Sequence, residues 1–549
     1  MIIKALRGQW ILYKESQMRR KLIDFATIFA MACTALFVGV SCTKDLGNYE
    51  YHDLVEPEIT LEGSENGIHI LTHQRLKLQP NLGGEGFTSD LYDFEWRAIA
   101  QNESQSITVI GDKKDLDYEV KLKAGEYLLL FKVIEKSTGI FWQADYNLIV
   151  SEVTSEGWMV LCSEGPDARV RLDMVSEVTG ETLNDLLIDN KDMPVMHNPS
   201  SLVWLTGTRA NPEYPFYILT EEGGLRLGRN SFEWKPNFSF EYETGGGNAI
   251  NPQCIVPLAN ARMMVCNNKL YYSDCMVTTG IFGKIDGQFT PAPRLGTNLV
   301  NNNIIVPTCL FFDCQKGCFM TYSRNLMSAD MGGYSPLHSI EELEEILRSS
   351  PKGGEITGDA FKDYPSGAEY VYLENTLYDP NKTNTGVTYT ILKEESRLHL
   401  YGIRLGELMG GISLGGPVFA LSKDFFADIT DCPKIKAATA FAFSSLTRAM
   451  YYAVGNKVYK TEFNGDTPMT KLQFTLQGEQ IQVLKFNIYQ TNKNMNKSYD
   501  LVVGSLDNQG NGILRTYEGF NSKGNYTKPS KVYKRLGKLV DVLYREMVS

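Results

Sequence analysis

Histidine is scarce in this chain. The six in 549 residues (His52, His69, His73, His197, His338 and His399) are scattered, with no His-Glu-x-x-His pair among them. That removes the helix-borne zinc-hydrolase signature. No Gly-Lys-Ser/Thr loop is present to cradle phosphates, and the Gly-rich runs Gly245–Asn248 and Gly410–Gly416 lack the strand-loop-helix spacing of a nucleotide site. Both read as loop crossings. Polybasic runs that would mark a peripheral membrane patch are missing, and the net charge of -11 offers no cationic face for a phosphate backbone, so no nucleic-acid partner is expected. Cysteine is thin as well. Of ten, Cys33 and Cys42 fall in the N-terminal segment, which leaves eight, too few to scaffold a chain this long. Cys309, Cys314 and Cys318 do cluster, but zinc favours Cys-x2-Cys pairs, and no second pair or His lies nearby. The cluster reads as a hairpin carrying buried thiols, with room for one disulfide. Neither metal nor cofactor is expected.

What the chain does have is one apolar run near its start. Arg19, Arg20 and Lys21 form a positive region, Phe25 to Val40 is apolar, and small residues precede Cys42. This is the anatomy of a signal peptide over residues 18–42. A membrane span needs about 20 apolar residues and usually a charged stop beyond them, whereas Asp24 shortens this run and no second one follows. A thiol at the cleavage point can take a diacylglycerol, which makes Cys42 the expected lipidated N-terminus. Gly39 stands where Leu is usual, and Cys33 is a rival that would leave an apolar mature terminus. Residues 1–17 precede the signal start at Met18 and are set aside from fold reasoning.

Residues 43–58 read as a tether. From Ile59 to about Glu152, short alternating strands are broken by turn residues: Arg75-Leu-Lys-Leu, Tyr92-Asp-Phe-Glu-Trp96, Gly125-Glu-Tyr127 onward, and Phe141 to Val150 after the turn at Lys136–Gly139. Roughly seven strands in about 100 residues indicate an antiparallel sandwich with Trp96 in its core. Ser151–Glu156 is a polar joint. From Gly157 to the end, hairpins recur around turns at Glu164–Asp167, Glu221–Gly224, Asn267-Asn268 and Gly455-Asn456. Asn and Gly suit such turns because they tolerate positive φ. Hairpin after hairpin suggests a β-propeller-like domain over 157–549, with two stacked sandwiches as the alternative. One insertion, Ser339 to Arg348, reads as a helix opened by a Ser339/Glu342 capping box and stopped at Ser349-Ser350-Pro351. The fold class is therefore all-β: an antiparallel sandwich, which resembles an immunoglobulin/PKD-like domain in its Trp96 strand, its Gly125-Glu-Tyr127 opening and its closing Leu148-Ile-Val150 run, then a β-propeller-like domain.

The opening Cys42-Thr-Lys44-Asp45-Leu-Gly47-Asn48-Tyr49-Glu50-Tyr51, with the Trp96 strand, Gly125-Glu-Tyr127 and Leu148-Ile-Val150, resembles the PKD-like family lipoproteins of gut-dwelling Gram-negative anaerobes. The resemblance implies an outer-membrane lipoprotein facing the cell exterior and associated with a SusC/SusD-like uptake system. In that setting it would be an accessory protein capturing a glycan or peptide. A hydrolase or lyase acting on the same polymers is the runner-up, and a scaffold docked on the transporter the third reading.

Site candidates are few. Trp204, Trp234, Tyr271 and Tyr272 could offer aromatic faces to a sugar or peptide, although aromatics are enriched in strands anyway. Asp507, Asn511, Gly512 and Glu518 match positions of a calcium loop, but Gln509 departs from it and a strand, not a helix, precedes it. A hairpin turn with Gly510 and Gly512 at positive φ accounts for the same residues, and no calcium is expected there. The address yields the first testable outcome. Cys42→Ala should shift the protein from membranes to the soluble fraction, because one thiol carries the attachment; retention of the variant in the membrane fraction would point to Cys33.

Overall fold

A computed structural model describes residues 56–101, 105–205, 216–229, 232–246, 251–258, 261–274, 281–297, 308–323, 336–342, 345, 355–357, 367–380, 386–406, 420–465, 467–489 and 492–547. The signal peptide, Cys33, Cys42, nearly all of the tether, Tyr214 and Gly410–Gly416 lie outside these. The chain divides into two compact units, one holding the described residues up to Thr60 with Asn81–Tyr92, the other Leu61–Pro80 with Asp93 onward. In the smaller, Glu58–Thr60 pairs antiparallel with Asn81–Gly83, and Phe87 stacks on Tyr92 at 4.8 Å.

In the larger unit, a five-stranded sheet runs in the order Ile68–Leu71, Phe141–Ser151, Gly125–Glu135, Tyr92–Ala100, Ile107–Gly111, and Arg75–Leu78 pairs with Leu116–Glu119. Alternation fixes the faces: Tyr127, Leu129, Phe131 and Val133 are buried while the residues between them are only half so. Trp96 is fully buried 4.4 Å from Phe131, and its indole N–H donates to the Lys113 carbonyl at 3.0 Å. Tyr127 donates its hydroxyl to the Lys123 carbonyl at 2.9 Å, the corner contact that pins a sandwich strand to the chain just upstream.

From Gly157 onward, seven separate sheets follow one another among the described residues. Each is built around a hairpin, and the strand before the hairpin forms the inner edge. The inner segments are Pro199–Trp204, Pro252–Leu258, the bridged residues 291–296, Glu369–Asn375, Ala440–Phe443 and Glu479–Phe486 for sheets two to seven. The first sheet takes its inner strand from the far end of the chain: Lys538–Arg545 pairs with Gly157–Glu164. No single sheet closes on itself. Closure comes from packing, because buried clusters link sheets one and two, two and three, three and four, five and six, six and seven, and seven and one. Sheets four and five meet through Phe319 against Tyr401 and through Asn375, which accepts from Thr297 N–H at 2.9 Å. This is a propeller-like ring of seven blades. Its middle strands are covered on both faces by neighbouring blades, which is why Ala261–Cys266 is buried throughout and does not alternate.

The turns form as their chemistry dictates. Asn267 and Asn268 take φ of 49° and 54°, and Gly455 takes 59°. Gly510 is at 84°, but Gly512, expected at positive φ, is not in that region. A Cβ there would stand 2.1 Å from the Gly537 carbonyl, so close approach of strands, not φ, demands glycine. The capping box forms reciprocally: Ser339 N–H donates to Glu342 Oε2 at 2.9 Å, and Glu342 N–H to Ser339 Oγ at 3.2 Å. Most of that helix lies outside the described residues. The polar joint is bound rather than free. Ser176 Oγ donates to the Val153 carbonyl at 2.6 Å, Arg545 donates to the Thr154 carbonyl, and Glu156 accepts from Tyr544 Oη at 2.8 Å.

One carboxylate ties the ring shut. Asp541, on the last strand, accepts from Leu202 N–H at 2.9 Å and Ser201 Oγ at 3.2 Å in blade two, and from Lys485 Nζ at 2.9 Å in blade seven. Burial opposes its charge, but Lys485 and the N–H groups of Leu202 and Val542 outweigh that and hold the carboxyl below its ordinary value. Such a group stabilises the fold above the unfolded-state pKa, and that contribution is lost as pH falls through the lower folded value. Asp541→Ala should destabilise the protein by about 3 kcal/mol, because Lys485 is left without its anion. Urea unfolding at neutral pH measures this, and the gap between wild type and variant should narrow below about pH 4.

Candidate functional site

Where the inner strands approach one another, charged and phenolic side chains from several blades converge. Arg294 comes from blade four. Its backbone is extended by Pro291-Ala-Pro293 and held by Gly296 N–H to the Leu310 carbonyl at 2.7 Å and by Asn375 Nδ2 to the Leu295 carbonyl at 3.0 Å. Tyr370, Tyr372 and Glu374 come from the inner strand of blade five, Lys485 from blade seven, and Asp541 and Ser201 from blades one and two. Cys254, on the blade-three inner strand, lies by Leu295, and burial pushes its thiol up to about 12.

Arg294 is the unusual member. It is exposed to solvent, yet it interacts with Tyr372, Tyr370, Glu374 and Asp541 on two other blades. It therefore stands at the space that the inner strands surround, called the channel below. Its guanidinium lies 4.5 Å from the Tyr372 ring centroid and donates to Tyr372 Oη at 3.1 Å. The remaining donors of its five-pronged fork meet no protein acceptor among the described residues. Glu374, half-buried, accepts from Phe443 N–H at 2.8 Å through one oxygen. Burial raises its carboxyl to about 7, only partly offset by Arg294, the Phe443 N–H and Lys485. The channel thus holds one ion pair, one cation with donors to spare, and one carboxyl that changes charge near neutrality.

The residues singled out in the sequence lie elsewhere. Trp204 is 5% exposed, packed between blades one and two, and Trp234 borders the same cluster. Tyr271 packs in the cluster between blades two and three, while Tyr272 sits 5.3 Å from Tyr322 between three and four. The four do not form one platform. Asp507 Oδ1 accepts from Gln509 N–H at 2.8 Å and Asn511 N–H at 2.9 Å, the bonds of a hairpin turn, and Glu518 binds the Asn521 side chain. Cys309 and Cys318 lie on paired strands, and all three clustered thiols are free. Gly410–Gly416, outside the described residues, also spells Gly-x-Ser-x-Gly at Gly411, Ser413 and Gly415; an elbow would need a strand-turn-helix context. The channel residues carry no motif. Their signal is a lone charge in an apolar strand, as in Leu539-Val-Asp541-Val-Leu and Val483-Leu-Lys485-Phe.

The raised carboxyl has a measurable consequence. Between the unfolded-state value and about 7 the folded state binds the extra proton at Glu374, so stability falls as pH rises across that window. Glu374→Gln, which cannot ionise, should melt above wild type at about pH 8 and with it at about pH 4. Parallel melting curves at both values would remove the shift.

A family model described as PKD-like matches residues 42–196. That stretch takes in the sandwich and continues through the blade-one strands Gly157–Glu164, Arg169–Ser176 and Thr182–Leu183. No curated protein matches the chain. Among solved structures it is similar to a quinonprotein alcohol dehydrogenase-like protein from Bacteroides thetaiotaomicron, at 10% identity and a TM-score of 0.38, over 89% of this chain and 99% of that one. It is also similar to a candidate 6-phosphogluconolactonase from Bacteroides uniformis, at 12% identity and 0.40, over 71% and 100%. A third likeness is to the extracellular domain of a candidate one-component system from B. thetaiotaomicron, at 8% identity and 0.33, over 86% and 66%. These scores are low, and the architecture rests on its own strand pairing. The chain is an all-β protein with a PKD-like N-terminal domain and a propeller-like remainder.

Proposed function

We propose that this chain is an outer-membrane lipoprotein, tethered at Cys42 and facing the cell exterior, that serves a SusC/SusD-like uptake system as an accessory binding component. Its ligand, a glycan or peptide, enters the channel of the propeller-like domain. One observation carries the choice of site: Arg294 is exposed to water, and most of its donors meet no protein acceptor among the described residues. An exposed guanidinium whose remaining donors meet no protein acceptor among the described residues can give them to a ligand.

The same geometry favours binding over catalysis. A hydrolase or lyase built on paired carboxylates needs both of them free, one to move a proton and the other to act as base or nucleophile. Asp541 already accepts bonds from Leu202, Ser201, Lys485 and Val542, which fills its acceptor capacity and leaves Glu374 without such a partner. Affinity isolation of the native chain from outer membranes, followed by identification of co-purifying proteins and ligands, tests the reading. The wild type should bring down a transporter and a bound polymer fragment, and Arg294→Gln the transporter alone. A chain that returns neither, or one that converts the fragment on incubation, would overturn it.

A further inference from the structure

The channel's chemistry narrows what it can hold, given that it is the ligand site proposed above. Lys485 is engaged by Asp541 at 2.9 Å, so its charge is matched within the protein. Arg294 contacts no carboxylate among the described residues, and its one hydrogen bond goes to a neutral phenol. A single unmatched guanidinium suits one negative charge, and its planar fork suits a carboxylate gripped by two N–H groups. A phosphate dianion would want a second cation, and Lys485 is already taken. The other groups around the fork are hydrogen-bonding rather than apolar in function: the hydroxyls of Tyr370 and Tyr372, and the Glu374 oxygen that does not receive Phe443 N–H. Such groups match ligand hydroxyls.

We infer that the channel binds an acidic sugar, a hexuronate unit whose carboxylate seats on the open edge of Arg294 while its hydroxyls meet Tyr370, Tyr372 and Glu374. Tyr372 acts as a positioning residue. Its ring lies 4.5 Å from the guanidinium and its hydroxyl takes one donor at 3.1 Å, which fixes the fork and leaves its other N–H groups for a ligand. Glu374 then sets the pH range of binding. The charged and titratable groups around it are Arg294 from blade four, Lys485 from blade seven, Tyr370 and Tyr372 on its own strand, and Asp541 and Cys254 farther round the ring. Burial raises its carboxyl to about 7. Below that pH it is neutral and can donate to a sugar oxygen; above it, a second negative charge faces the incoming carboxylate.

Calorimetry on the full chain with D-glucuronate, D-glucose and acetate separates the possibilities. Glucuronate should bind at about pH 6, with glucose weaker by roughly tenfold or more for loss of the charge-assisted bidentate contact, and acetate weaker by roughly tenfold or more for loss of the hydroxyl contacts. Arg294→Gln should lower glucuronate affinity by about a hundredfold, and Tyr372→Phe by a few-fold, with melting curves confirming that both variants fold. Wild-type affinity should fall as pH rises through about 7, and Glu374→Gln should flatten that fall while still binding. Glucose matching glucuronate, acetate matching glucuronate, or an unchanged Arg294→Gln would each overturn the acidic-sugar assignment. A chain that ignores glucuronate but yields a peptide or neutral glycan in the affinity isolation, lost in Arg294→Gln, would overturn the sugar class and leave the channel reading standing. Absence of any ligand in both experiments would remove both.

Discussion

The carboxylate of Asp541 is the contact on which the ring depends. It belongs to the last strand, which pairs with the first propeller strand at Gly157–Glu164, and its two oxygens reach forward to Leu202 and Ser201 and back to Lys485. Three blades thus meet at one residue. Blades stack through apolar clusters, and apolar packing is non-directional; it would tolerate a ring that slips or gapes. A buried carboxylate with four fixed partners does not. The register of the inner strands, and the width of the channel between them, follow from that fixed point.

Two carboxylates and two cations in the channel are thereby given different fates by one geometry. Asp541 meets Lys485 and backbone N–H groups, and stays charged below its ordinary range. Glu374 meets one N–H and a guanidinium that leans toward Tyr372 instead, so burial dominates and its carboxyl rises to about 7. Environments that push two like groups apart mark places where charge is being managed rather than merely solvated. The side chains concerned sit on strands or on a bridged segment, not on loop tips, and their placement inherits the rigidity of the blades. Arg294 is the clearest case. Its backbone is clamped between blades four and five by Gly296, Leu295 and Asn375, while its head group is left to the solvent.

Much of the fold was legible because its signals are local. The hairpins at Asn267-Asn268 and Gly455 follow from turn residues that accept positive φ, and the Ser339/Glu342 box formed as written. Trp96 and Tyr127 announced the sandwich through spacing that a sandwich core requires. The inner strands were harder to see. Pro199–Trp204 and Glu369–Asn375 pair with Phe216–Thr220 and Val387–Glu394 across long intervening stretches rather than across a tight turn. The site was illegible for the same reason at greater range: Asp541 finds Ser201 across 340 positions and Leu202 across 339. The aromatic candidates took the strand-packing alternative that their residue type also offered. Trp204 and Tyr272 are large and strand-borne, as a sugar platform would be, but strands in a propeller are covered on both faces, and these rings fill the space between blades.

The joint between sandwich and ring has a role that composition concealed. Ser151–Glu156 is polar and reads as a linker, yet its carbonyls and the Glu156 carboxylate are bonded to Ser176, Arg545 and Tyr544. Two of those three partners lie on the last strand, the one that Asp541 fixes. The chain therefore enters the ring beside the strand that closes it, and the entry is hydrogen-bonded to the closure. The PKD-like match runs through this joint to Met196 without a break at Gly157, as it should if sandwich, joint and first blade are specified together. Here the polar groups face protein partners, and the segment works as an anchor for the ring, not as a hinge beside it.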